Sequence, residues 1–183
     1  VKEFDRLLRF LPRPADYLFL YFIGIYILLL VFKVDYRLAF IGALAFGLST
    51  YLIIILQVGH NSKAHAIAYM PLVIAGMVSV FRKNYIIGGL GLALAAALEV
   101  STNHYQMTYY LLFLVIILGI VYLIDAIRKR TITAYFKSIG VMLIAAIIAI
   151  STNSTRLLST KEYTEFSTRG PSALADTSKN EDL

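Results

Sequence analysis

MTYYLLFLVIILGIVYLI, Met107–Ile124, runs for 18 residues without a charge. A helix needs about 20 predominantly apolar residues to cross the hydrocarbon of a bilayer. Five more runs of the same character surround it: Tyr17–Phe32, Leu38–Val58, Ala66–Phe81, Tyr85–Val100 and Ile139–Ile150. Barrel strands would instead alternate apolar and polar residues over about ten positions. In lipid only helices and closed barrels satisfy every backbone group. The sequence therefore predicts an all-α fold: a polytopic transmembrane helical bundle of about six spans, occupying 15–150.

Composition agrees. Hydrophobic residues make up 59% of the chain and charged ones 15%, far from the near-half and quarter of ordinary soluble domains. There is no cysteine, so no disulfide framework and no thiolate ligand or nucleophile. Tryptophan is also absent, which leaves the 13 tyrosines as candidate interfacial aromatics. The net charge of +6 is divided between both membrane faces, so no nucleic-acid partner is expected. No phosphate loop, dinucleotide fingerprint, zinc-protease motif or serine elbow is present. The glycines of Gly88–Leu98 lie inside an apolar run, where small residues mark close helix packing.

The flanks are polar. Residues 1–14 place Phe4, Leu7, Leu8 and Leu11 at helical spacing opposite Lys2, Asp5, Arg6 and Arg9, the pattern of an interfacial amphipathic helix ended by Pro12 and Pro14. Residues 151–183 are rich in Ser, Thr and charge and read as the start of an outer loop or domain. Val1 and the polar tail lead us to expect further sequence on both sides.

Basic residues set the topology. Three alternate loops hold Lys33 and Arg37, then Arg82 and Lys83, then Arg128, Lys129, Arg130 and Lys137; the two short loops opposite hold only Lys63. Positive loops stay in the cytoplasm. The loops around His60 and His104 are thus expected outside a plasma membrane.

Three outer segments gather polar residues. In Gln57–Pro71, Gly59 can break the second helix and Asn61 or Ser62 can cap the next. Lys63 would then sit in a first turn, where a cation opposes the helix dipole and hints at an anionic partner. His60 and His65 are a weak metal signal, and no metal or cofactor is expected. In Leu98–Tyr110, Glu99 ends an apolar run, either functional or paired with Lys63 or Arg156. Thr102 or Asn103 can cap the fifth helix. In Thr160–Leu174, Arg169 edges a Gly-Pro turn, and an arginine can grip phosphate bidentately. Each segment alone also reads as a solvated loop or an aromatic belt.

Taken in order, GHNSKAHAIAYMP (Gly59–Pro71), NHYQMTYY (Asn103–Tyr110) and KEYTEFSTRGPSAL (Lys161–Leu174) resemble the YfhO family of bacterial multi-spanning membrane proteins. That resemblance implies a GT-C-like bundle in the bacterial inner membrane with an outer-face active site. It implies a polyprenyl-phosphate sugar donor, membrane lipid around it and a cell-envelope polymer as acceptor. Lys63, Arg156 and Arg169 would then meet phosphate. His60, Asn61, Asn103, His104, Tyr105 and Gln106 would meet sugar or acceptor, with Glu162 the candidate catalytic carboxylate. One departure counts: the acidic residue of GT-C enzymes follows the first span, a region that here would precede Val1. The general base is therefore expected outside this chain. Two other readings stay open, a lipid transporter or flippase and a non-catalytic scaffold subunit. The helices show few midplane polar residues, Ser49 and Thr50 in the second run, which argues against transport.

Overall fold

The computed structural model describes residues 11–165, which form helices joined by short turns. The order is α1 Ala15–Val31, α2 Tyr36–Gly47, α3 Thr50–Gln57, α4 Asn61–Phe81, α5 Tyr85–Ser101, α6 Tyr105–Arg128, α7 Ile132–Thr152 and α8 Ser154–Glu165. Every apolar run of the sequence has become helix. Three helices, α4, α6 and α7, are long and apolar enough to cross a membrane, and a fourth crossing results if α2 and α3 count as one. The remaining apolar helices, α1 and α5, have 17 residues each. At 1.5 Å per residue that is about 26 Å, the short end of what spans hydrocarbon. The proposed interfacial helix falls largely on residues 1–10, outside the described residues.

The run Leu38–Val58 is not the continuous span the sequence suggested. It bends by 45° between α2 and α3. Gly47, Ser49 and Thr50 meet there, all weak helix formers, and Ser49 adopts extended backbone (φ −62°, ψ 140°). Tertiary packing holds the break: a Cβ at Gly47 would collide with the Phe22 ring on α1.

Helix α4 is the central element. It packs most extensively against α5 and α1, while α5 packs on α7 and α1 on α2. In its apolar stretch 67% of residues are buried, against 11% in α6 and 17% in α7. The last two present isoleucines and leucines such as Ile117, Ile120, Leu143 and Ile147 outward. Such a surface suits hydrocarbon rather than water. Small residues let α4 and α5 touch. A Cβ at Gly76 would stand 2.8 Å from the backbone of Leu92, and one at Gly88 would stand 2.9 Å from Val80 N.

The basic loops close in a common way. Lys33, Lys83 and Arg130 each follow a helix C-cap with left-handed backbone, at φ 65°, 68° and 55°. Behind each, the next amide reaches back five residues: Val34 to Leu29, Asn84 to Ser79 and Thr131 to Ala126. This is the Schellman turn, usually built on glycine. A basic side chain there complements the helix C-terminus. These loops share one end of the bundle. Arg82 donates to the carbonyl of Val31, Phe81 stacks on Tyr122 and Tyr135, and Lys137 lies 4.6 Å over the Tyr85 ring.

Candidate functional site

The opposite end carries the polar segments. Gly59 closes α3 with the same turn, now on a true glycine (φ 80°), and His60 N bonds back to Ile55 O. Helix α4 then starts at Asn61, with His60 as N-cap and no side chain capping it. The expected cap by Asn61 or Ser62 is corrected: both already lie inside the first turn. The amides of Ser62 and Lys63 are consequently among the first-turn donors that lack a helical acceptor. Lys63 Nζ lies 5.4 Å from the Tyr51 ring centroid on α3.

The second segment makes a similar corner. Asn103 takes a left-handed conformation (φ 57°) and Thr102 Oγ1 donates to Glu99 O at 2.7 Å. The N-cap of α6 is His104, not Thr102 or Asn103, and it too lacks a side-chain cap bond. Both were drawn back to close α5 instead. Gly59, His60, Asn61, Ser62, Lys63 and His104 line one open cavity of about 340 Å³. His104 Nδ1 is a buried atom without a hydrogen-bond partner among the described residues.

Other candidate residues stand outside that lining. Tyr105 is exposed, and Gln106 Nε2 donates to Tyr110 OH at 2.8 Å. Arg156 and Glu162 are exposed on α8. That helix is tied to the corner by Thr160 Oγ1, 3.4 Å from Asn103 Oδ1. Arg169 and most of the third segment lie outside the described residues. Of the three polar segments, the first two share a cavity, and among the described residues α8 alone reaches toward them from the third.

The buried polar residues were the least legible. Glu99 is 1% exposed. It does not pair with Lys63 or Arg156; Thr108 Oγ1 donates to it, because burial beneath α6 puts it out of reach of the surface cations. Asn153 Nδ2 donates to Ala97 O at 3.0 Å and Ala149 O at 2.8 Å, joining α7 to α5. His65 turns away from His60 into the core. Its ring lies 4.5 Å from that of Tyr17 and 6.0 Å from that of Tyr69. Asp16, beside Tyr17, is buried as well and accepts from Tyr17 N at 2.9 Å. Among the described residues no three His, Asp or Glu side chains gather as a metal site. Asp16 and His65 carry a periodic signal: both fall on the stripes by which α1 and α4 face each other.

Comparisons with protein-family models, with curated proteins and with solved structures found no match for this chain.

Proposed function

We propose that this chain is the membrane-embedded part of a lipid-linked sugar transferase, of GT-C type and allied to the YfhO family. It would take a sugar from a polyprenyl-phosphate donor and pass it to a cell-envelope acceptor at the outer face. Six helical units cross the bilayer in this reading, with bent α2–α3 as one, and the basic loops face the cytoplasm. The observation that supports it is the cavity shared by Gly59–Lys63 and His104, which are about 40 residues apart in the chain yet line one opening. Its ionisable lining is one lysine and two histidines, with no carboxylate. The uncapped start of α4 adds backbone donors. Such a set favours the donor's phosphate and would stabilise it as a leaving group. It supplies no carboxylate to deprotonate an acceptor hydroxyl. Glu162, exposed on α8, is outside the lining and is the best spare carboxylate of this chain.

The experiment is sugar transfer by the intact protein in membranes. Lys63→Ala and His104→Ala should each lower transfer from a polyprenyl-phosphate sugar by about tenfold or more, the loss of one charge-assisted hydrogen bond. Expression and insertion should be unchanged. Normal transfer by both variants would remove the sugar-transferase reading of this cavity and leave the flippase or scaffold.

A further inference from the structure

A second groove opens at the other end of the bundle, between α5 and α7. It has a volume of about 260 Å³ and is walled by Tyr85, Gly89 and Ala93 on one helix and Val141 and Ala145 on the other. Ile86, Leu90, Ile144 and Ile148 complete its walls, and its floor is where the helices touch, since a Cβ at Gly89 would stand 2.8 Å from Val141 Cγ1. From Tyr85 to Ala93 it runs about 12 Å along α5. Lys137 continues the same stripe of α7, one turn before Val141, since residues four apart share a helix face. Its ammonium lies 4.6 Å over the ring of Tyr85, which closes the groove at the end of the basic loops. An apolar slot thus ends at a held cation, at the level where Arg82, Lys83 and Arg128–Arg130 also gather.

We propose that this groove holds one acyl chain of an anionic phospholipid of the cytoplasmic leaflet, with the headgroup phosphate on Lys137. Charge complementarity selects the occupant. A zwitterionic lipid brings its phosphate together with a cation and so compensates Lys137 less well, and a free phosphate would leave the slot empty. The cytoplasmic leaflet carries anionic lipids that seek juxtamembrane basic residues. Tyr85 is the interfacial aromatic that keeps the ammonium at headgroup depth. The proposal rests on the bilayer-crossing reading with the basic end inside, and not on sugar transfer. It fails or stands independently of the outer cavity.

The test is spin-label resonance on the protein in phosphatidylcholine bilayers, with spin-labelled phosphatidylglycerol or phosphatidylcholine as the probe. The intact protein should restrict the phosphatidylglycerol probe several-fold more than the phosphatidylcholine probe. Lys137→Gln should bring the two to equality, and Lys137→Arg should restore the preference. Lys129→Gln should change nothing, because Lys129 is already paired with Asp125 at 2.9 Å on the same end. Gly89→Leu, which crowds Val141 at the groove floor and reshapes the slot, should lower the restricted fraction of both probes. A preference that survives Lys137→Gln overturns the site. Equal loss in Lys129→Gln overturns it too, as diffuse surface attraction. If Gly89→Leu changes the particle mass but not the lipid signal, a second copy of the chain covers the groove instead.

Discussion

Thr108 on α6 donates its hydroxyl to the carboxylate of Glu99 on α5, 3.0 Å from one oxygen and 3.2 Å from the other. Glu99 is buried, so this bond joins two helices that otherwise touch little, and it does so beside the corner that presents His104. Thr108 N also bonds to the carbonyl of His104 at 3.2 Å. The first turn of α6 therefore fixes the carboxylate and the cavity residue together.

Removing one member should leave the other unsatisfied. Thr108→Val should destabilise the protein by about 1–3 kcal/mol, read as a lower unfolding midpoint in detergent. The double variant Thr108→Val/Glu99→Met should recover most of that loss, since two apolar partners need no bond. Strict additivity of the two single changes in a double-mutant cycle would show that the pair is not coupled.

Close contact between α4 and α5 separates two glycines. At Gly76 a methyl group meets the backbone of Leu92, which cannot give way, so Gly76→Ala should cost about 1–3 kcal/mol. At Gly91, on α5, nothing lies within 4 Å of the added carbon. Gly91→Ala should be neutral or stabilise by up to about 1 kcal/mol through helix propensity. Comparing the two unfolding midpoints tests the packing; equal shifts would contradict it.

Left-handed lysines predict a stabilising change. A non-glycine residue in that conformation is strained by about 1–2 kcal/mol. Lys83→Gly relieves this, with part of the gain offset by the freer unfolded chain, for a net rise of about 1 kcal/mol. Lys83→Val should move the midpoint the other way, because a β-branched residue tolerates positive φ poorly. Hydrogen exchange at Asn84, whose amide bonds Ser79 O, should follow the same order.

Orientation can be read with single cysteines, since the chain has none of its own. In intact cells an impermeant thiol reagent should label Ser62→Cys and spare Lys83→Cys. Both positions are exposed, so access decides the result. Labelling of position 83 alone would invert the topology and move the outer cavity into the cytoplasm.

The existence of the helices was legible because it is local. Apolar runs longer than a strand leave the backbone no alternative to helix, and Gly59 announces its own turn. The break at Leu48–Ser49 was less plain: Ser49 and Thr50 were visible as polar residues, yet the bend also needs Phe22 against Gly47, a contact from another helix. Caps were misassigned for a related reason. Asn61, Ser62, Thr102 and Asn103 all have capping side chains, and a sequence pattern does not say which of several adjacent candidates lies outside the helix.

The amino-acid sequence by itself determined that this chain is helical and apolar enough for a bilayer, where its basic loops fall, and which short segments collect polar groups. Those properties depend on run length and charge order, and need no partner. Only the tertiary structure decided which polar residues meet. Antiparallel packing brings Gly59–Lys63 to His104, folds His65 inward between Tyr17 and Tyr69, and gives Glu99 to Thr108 rather than to a cation. Each of these rests on how helices distant in sequence are rotated about their axes, and close approach at Gly76 and Gly88 helps to set that rotation.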